Sequence, residues 1–110
     1  MSPKTLAKRA ATVGAFAFLA LGVARAAAPG SAVSIDNFTF NPAPIVVSAG
    51  STVTWTNNDD VPHTVRADDA SFHSAALDTG DSFKFVFTKP GVYSYFCSIH
   101  PKMVGKVIVR

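Results

Sequence analysis

One short segment near the end of the chain contains three side chains that bind soft metals. Cys97, His100 and Met103 follow one another at intervals of three residues, between two segments with strand-like patterns. A loop this short can turn a thiolate, an imidazole and a thioether toward one point. A fourth candidate ligand, His63, follows Pro62 and lies far upstream of Cys97, so it must come from another strand.

Two imidazoles, one thiolate and a weak axial thioether form the ligand set of a blue-copper electron-transfer site. Cu(I) prefers soft ligands and few of them, whereas Cu(II) prefers more nitrogen and a flatter geometry. A rigid ligand set whose geometry is intermediate between these two preferences rearranges little when copper gains or loses an electron. Each of the four residues taken alone is more often a core or surface residue. Their joint spacing nevertheless predicts one copper site.

The start of the chain has the features of an export signal. Basic residues precede an uncharged run of 15 residues, and small residues then suit a signal peptidase. A membrane anchor would need about 20 apolar residues. We therefore predict a signal peptide over residues 1–28, cleaved after Ala26 or Ala28. The exported domain, residues 29–110, is then expected in the periplasm.

The charge and cysteine content exclude several function classes. The net charge is +3, but four of the 10 basic residues and none of the seven acidic residues lie in the predicted signal. The exported part therefore has a slight acidic excess, which argues against nucleic-acid binding. A single cysteine cannot form a disulfide within the chain. The chain also lacks a glycine-rich phosphate loop and the length of a dinucleotide fold.

The exported part is predicted to be all-β, a small Greek-key β-sandwich. Turn signals recur about every ten residues, and apolar side chains alternate between them. No convincing helical pattern follows residue 30, although residues 67–76 can form a short helical turn. The side chains expected to share a strand face are Val53 with Trp55, Phe83 with Phe85 and Phe87, Tyr93 with Tyr95 and Cys97, and Val107 with Val109.

Some weaker signals receive ordinary structural interpretations. Asn37-Phe38-Thr39 matches a glycosylation acceptor, but we predict an ordinary strand because the leader is bacterial in style. His73 has no ligand-type neighbour in its acidic stretch and is predicted to be structural or on the surface. Asp59 and the other aspartates at turn signals are predicted to be solvated turn residues.

Three motifs extend along the exported chain. They are Trp55-x-Asn57-x-Asp59-x-x-Pro62-His63, Phe83-x-Phe85-x-Phe87, and Pro90-Gly91-x-Tyr93-x-Tyr95-x-Cys97-x-x-His100-x-x-Met103-x-Gly105-x-Val107. In these motifs residues 31–110 resemble the cupredoxins, most closely the amicyanin type, with plastocyanin and pseudoazurin nearer than azurin. The resemblance implies copper bound by His63, Cys97, His100 and Met103. It also implies that Asn57 braces the loop before His63.

One position departs from this resemblance. Relatives commonly carry Asn directly after the first ligand histidine, where this chain has Thr64. In the family that residue donates its backbone N–H to the thiolate, and its side chain ties the two ligand loops together. We expect Thr64 to keep the backbone donor but to reach Ser98 less well. Such bonds around the ligands tune the redox potential.

Together these features predict a soluble, monomeric electron carrier that moves one electron on one copper ion. His100 is expected to reach the surface and pass the electron through its exposed edge. Pro62, Ile99 and Pro101 are expected to form an apolar ring around it, suited to brief docking. Relatives of the amicyanin type imply an amine dehydrogenase as electron donor and a c-type cytochrome as acceptor.

Other functions are disfavoured by the supply of ligands. A copper enzyme needs an open coordination position or a second metal, and His73 alone cannot build another centre. Copper delivery or storage is the main alternative, although such proteins often carry many methionines and the exported part has only Met103. Zinc would also accept the same ligands. We expect no enzymatic activity, no nucleic-acid binding and no stable membrane association after signal cleavage.

Overall fold

The computed structural model describes residues 30–110, which form two four-stranded β-sheets; the predicted signal peptide lies outside them. The first sheet has the order β2-β1-β4-β6 and the second β3-β8-β7-β5. No helix that could cross a membrane occurs in this part of the chain. The strands are β1 (Ser31–Asp36), β2 (Thr39–Asn41), β3 (Ile45–Val47), β4 (Ser51–Asn57), β5 (Arg66–Ala67), β6 (Ser82–Phe87), β7 (Gly91–Phe96) and β8 (Val104–Val109).

Each sheet contains one parallel pair of strands. β1 runs parallel to β4 and β3 runs parallel to β8, while the other neighbours are antiparallel. Neighbours such as β1 and β4 are not consecutive in the chain, so the connections pass from one sheet to the other. The prediction of an all-β Greek-key sandwich is confirmed.

Alternating apolar side chains from both sheets meet in one core. Val53 and Trp55 are fully buried on β4, as the alternation predicted, and Tyr95 is buried on β7. The Trp55 ring lies 5.5 Å from Tyr95 and 5.7 Å from Phe72, measured between centroids. Aromatic side chains bury large areas each, so this cluster gives a short chain a substantial core beneath the ligand loops.

The segment predicted as a possible helical turn contains no helix. Its first residue, Ala67, belongs to strand β5, which pairs with β7. The Ala67 N–H donates to the Phe72 carbonyl at 2.9 Å, and the Asp68 N–H donates to the Ser94 carbonyl at 2.9 Å. These donors are used by a turn and by the neighbouring strand, and Phe72 packs into the core, so the helical prediction was wrong.

The strand predicted through Asn37-Phe38-Thr39 is interrupted by a hairpin turn. Asp36 pairs with Thr39, so Asn37 and Phe38 form a two-residue loop between β1 and β2. Both loop residues have positive φ angles, 52° and 57°. Asn tolerates this conformation in two-residue hairpins, whereas a bulky aromatic residue such as Phe38 adopts it rarely. The interactions that hold Phe38 there belong to the candidate site.

Candidate metal centre

The loop between β7 and β8 carries Cys97, His100 and Met103. The His100 N–H donates to the Cys97 carbonyl at 3.2 Å, and the Met103 N–H donates to the His100 carbonyl at 2.9 Å. The Cys97 N–H then donates to the Met103 carbonyl at 3.0 Å, which closes the loop. Cys97 and Met103 are buried and His100 is partly exposed. The spacing of three thus corresponds to a closed set of backbone hydrogen bonds.

His63 reaches the same point from the connection between β4 and β5. Its N–H and carbonyl both bond to Leu77, at 3.1 and 2.7 Å, and its side chain is fully buried. Its Nδ1 atom lies 3.7 Å from Cys97 Sγ, and His100 Nδ1 lies 3.8 Å from the same sulfur. The three donor atoms lie within 4.8 Å of one another. The predicted convergence of these residues is therefore observed.

The environment of Cys97 favours its thiolate. Burial raises the pKa of the Cys97 thiol, but hydrogen bonds from the Thr64 backbone N–H and from the His63 and His100 rings outweigh burial. The pKa falls from its ordinary value of 9.0 to about 6. The thiol is therefore largely ionised at neutral pH, and the thiolate is the form that binds metals.

Asn57, at the end of β4, braces the loop that precedes His63. Its Nδ2 group donates to the carbonyls of Val61 at 2.9 Å and Leu77 at 2.8 Å, and its Oδ1 accepts the Asp59 N–H at 2.9 Å. Asn57 is fully buried, so these bonds replace the water that its amide group loses. The bracing role implied for Asn57 matches these contacts.

Thr64 links the two ligand loops directly. Its backbone N–H donates to Cys97 Sγ at 3.3 Å, as expected. Its hydroxyl oxygen accepts the Ser98 N–H at 2.7 Å and lies 2.8 Å from the Ser98 hydroxyl. The expectation that Thr64 would reach Ser98 less well was therefore wrong. The pairing of Arg66 with Phe96 brings the two loops close enough for a short side chain.

Asp59 was predicted to be a solvated turn residue, and this prediction was also wrong. The residue is 8% exposed. Its Oδ2 atom lies 2.8 Å from His63 Nε2 and accepts the Phe38 N–H at 2.9 Å. The pKa of the Asp59 carboxyl is lowered, first by the Phe38 N–H and then by the His63 bond. The available sequence signal was the position of a carboxylate four residues before a candidate ligand.

The same carboxylate acts on the acid–base behaviour of His63. Burial lowers the pKa of His63, whereas hydrogen bonds to Asp59 and Cys97 raise it by more, so the pKa lies above its ordinary value. With Nε2 bonded to the carboxylate, Nδ1 is the ring nitrogen that faces Cys97. This orientation leaves Nδ1 available to a metal.

Comparison with known proteins places this site in a family. A family model described as a cupredoxin-like domain matches residues 9–109. The chain belongs to the cupredoxin-like family. Amicyanin-alpha from Methylorubrum extorquens is 33% identical over 80% of this chain and 78% of its own. Chloroplastic plastocyanin from Tetradesmus obliquus is 40% identical over 64% of this chain and 58% of its own.

Solved structures give the same assignment to this cupredoxin. A purple cupredoxin from Nitrosopumilus maritimus superposes with a TM-score of 0.69 and 38% sequence identity. The match covers 73% of this chain and 99% of that one. The resemblance to cupredoxins that the motifs carried is therefore confirmed.

The donor chemistry of this cupredoxin fits one type 1 copper ion. A buried thiolate and two imidazole nitrogens converge, and the buried Met103 follows in the same loop. Two histidines and one cysteine in a trigonal arrangement, with a weak axial methionine, are diagnostic of blue-copper sites. Within residues 30–110, His63, Cys97 and His100 form the one cluster of three such donors. His73 is exposed and lies outside it, as predicted.

Exposed apolar residues flank the two candidate-ligand histidines in the chain, and of these histidines His100 is partly exposed. Ile99 is 47% exposed, and Pro62 and Pro101 are also exposed, as the predicted ring requires. Phe38, which was not included in that prediction, lies against the same imidazole with its ring edge-on and 5.0 Å away between centroids. It is 49% exposed and extends the apolar rim.

Proposed function

We propose that this cupredoxin is a soluble, monomeric periplasmic carrier that moves one electron at a time through one type 1 copper ion. His63, Cys97, His100 and Met103 are the proposed ligands. The observation that carries the proposal is the convergence of two imidazole Nδ1 atoms on the buried Cys97 sulfur. The proposed periplasmic location rests on the signal predicted over residues 1–28.

The chain contributes rigidity to electron transfer, while the copper ion supplies the Cu(II)/Cu(I) couple. The backbone bonds that link Cys97, His100 and Met103 hold the loop in one shape. The buried Asn57 amide holds the loop before His63. With the donors fixed in both oxidation states, little rearrangement accompanies the arrival or departure of an electron.

His100 is the proposed route by which electrons enter and leave. Its ring is partly exposed, whereas His63 is fully buried. The surrounding apolar rim of Phe38, Pro62, Ile99 and Pro101 suits a small interface of the kind that transient redox partners form. By analogy with the amicyanin type, we propose a dehydrogenase as donor and a c-type cytochrome as acceptor.

The two competing functions have less support. A copper enzyme needs an open coordination position or a second centre, and the one donor cluster within residues 30–110 already offers a complete type 1 ligand set with Met103. Copper delivery needs ligands that exchange readily. The fully buried Cys97 and His63, each fixed by several hydrogen bonds, favour retention of the metal over delivery.

The first experiment distinguishes an electron-carrier function from copper delivery. The exported domain, loaded with Cu(II), is expected to show an intense visible band that a reductant bleaches and an oxidant restores. Copper should stay bound during incubation with a modest chelator. Rapid loss of copper to the chelator would favour delivery, and absence of the band would contradict the type 1 site.

The second experiment tests the proposed docking surface. Ile99→Glu places a charge on the apolar rim, whereas Val92→Glu places the same charge on an exposed position of β7, five residues before Cys97. We expect Ile99→Glu to slow stopped-flow electron transfer with a c-type cytochrome several-fold, with the visible band unchanged. Val92→Glu should react like the wild type, and equal slowing by both variants would contradict docking at this rim.

A further inference from the structure

We propose that Asp59 is a positioning residue for the metal centre. Its carboxylate fixes the orientation of His63 and at the same time holds Phe38 over the two imidazoles. This inference rests on the proposed function, because it assigns to Asp59 the task of presenting a histidine to copper.

The Asp59 carboxylate is held by hydrogen bonds on both oxygens. Oδ2 accepts the Phe38 N–H at 2.9 Å and pairs with His63 Nε2 at 2.8 Å, while Oδ1 accepts the Asp60 N–H at 3.1 Å. The backbone of Asp59 is also fixed, since its N–H donates to Asn57 Oδ1 and its carbonyl accepts the Thr79 hydroxyl at 2.6 Å. A buried carboxylate held in this way has one orientation.

This orientation determines which nitrogen of His63 stays protonated when a metal binds. An ionised carboxylate only accepts hydrogen bonds, so Nε2 must be the donor of the 2.8 Å contact. Nδ1 is then the nitrogen that faces Cys97 at 3.7 Å, and it releases the proton that it shares with the thiolate when a metal binds there. Carboxylates that accept the second N–H of a ligand histidine fix its tautomer and increase its basicity.

The same oxygen also holds the β1–β2 turn in place. Phe38 has a positive φ of 57°, a conformation that costs energy for a bulky residue and needs support from its surroundings. Its N–H bond to Asp59 provides this support across a separation of 21 residues. The Phe38 ring then lies edge-on to both imidazoles, with centroids 5.4 Å from His63 and 5.0 Å from His100.

If Asp59 only supported its own loop, replacing its carboxylate with an amide would leave His63 and Phe38 unaffected. The contacts with Asn57 and Thr79 use only the backbone of residue 59, so they persist when the carboxylate is replaced. The contacts with His63 and Phe38 use Oδ2 and do not persist at full strength in a neutral amide. Asp59→Asn therefore separates support of the loop from orientation of the ligand.

The test compares Asp59→Asn with Asp60→Asn. Asp60 is the exposed neighbour, so its substitution removes the same charge without contacting His63. Two reporters are the His63 Nε2–H and Phe38 backbone N–H signals in ¹H–¹⁵N spectra of the metal-free and Cu(I)-loaded proteins. We expect slow exchange and downfield shifts in the wild type, loss of both features in Asp59→Asn, and no change in Asp60→Asn.

Metal affinity provides the second measurement. Removal of a partner that orients a ligand typically lowers metal affinity 10–100-fold. Asp59→Asn should therefore bind Cu(I) and Zn(II) more weakly than Asp60→Asn by that factor, as measured by chelator competition. Equal affinities of the two variants, or rapid exchange of the His63 Nε2–H in the wild type, would overturn the inference. The exchange rate of the His63 Nε2–H in the wild type tests the inference even if Asp59→Asn fails to fold.

The outcomes also separate this inference from the proposed function. If the wild type shows a bleachable visible band but Asp59→Asn leaves the two NMR signals unchanged, the proposed electron-carrier function is retained and the proposed role of Asp59 is contradicted. If the reporters in the metal-free protein respond to Asp59→Asn but copper gives no visible band, the carrier fails and the orienting role of Asp59 stands.

Discussion

The Thr64 hydroxyl accepts the backbone N–H of Ser98 at 2.7 Å and thereby joins the two loops that carry the candidate ligands. The same oxygen lies 2.8 Å from the Ser98 hydroxyl and 3.8 Å from Cys97 Sγ. Its single proton can therefore point to either atom. When the Ser98 hydroxyl donates to Thr64, the Thr64 proton is free to face the thiolate and adds to the backbone N–H bond at 3.3 Å.

Thr64→Val is expected to lower the reduction potential. Without the hydroxyl, the Cys97 thiolate loses hydrogen-bond support and donates more charge to copper, which favours Cu(II). A net hydrogen bond of about 1 kcal/mol corresponds to about 40 mV for one electron. Redox titration of the visible band measures this shift. Thr64→Ser keeps the hydroxyl and should stay close to the wild type; an unchanged potential in Thr64→Val would exclude this role.

Met103→Gln is expected to retain copper but lower its potential. The Met103 backbone carbonyl and N–H, which close the ligand loop, are unaffected by the substitution. The side chain changes from a soft thioether to a harder amide oxygen, and a harder axial ligand favours Cu(II). Voltammetry of the two proteins compares the potentials. The same potential in both would remove Met103 from the ligand set.

Cys97→Ala is expected to abolish the visible band. The band arises from charge transfer between a thiolate and copper, and Cys97 is the one cysteine of the chain. Its loop should persist, because the hydrogen bonds that close it use the backbone of residue 97. Absorption spectra after copper loading check this, with circular dichroism to verify the fold. A variant that stayed blue would refute the assignment of the thiolate.

The features predictable from the sequence were those determined by local spacing. The alternation of Val53 with Trp55 indicated a buried strand face, and the interval of three between Cys97, His100 and Met103 indicated one closed loop. Both patterns depend on neighbours within a few residues along the chain, so strand periodicity and ligand chemistry were enough to interpret them.

The features that were missed depend on contacts between distant segments. Asp59 looked like a turn aspartate because its partner Phe38 belongs to a hairpin 21 residues away. Thr64 looked too short because the pairing of β5 with β7, which places it beside Ser98, is not visible in either loop alone. The positive φ of Phe38 could not be expected from a residue type that rarely adopts it.

Gly105→Ala is expected to destabilise the domain. Gly105 pairs with Tyr95 across β8 and β7, and a Cβ atom at residue 105 would overlap the Tyr95 ring. Overpacking of this kind typically costs about 1–3 kcal/mol. Gly30→Ala is the control, because the nearest atom to its new Cβ is 4.0 Å away. Urea unfolding of both metal-free variants measures the difference, and equal stabilities would contradict the packing argument.

The metal-free protein is expected to ionise Cys97 near pH 6, and its stability should rise from there. The pKa is about 6 in the folded protein against an ordinary 9.0. Between these values the unfolded chain binds more protons, so the free energy of unfolding increases with pH. This stabilisation is complete above pH 9 and is lost as the pH falls through 6. Ultraviolet absorbance of the thiolate follows the ionisation, and urea unfolding from pH 6 to 9 follows the stability. Cys97→Ser should lack both the absorbance change and the rise due to the thiolate; a midpoint near 9 in the wild type would contradict the expectation.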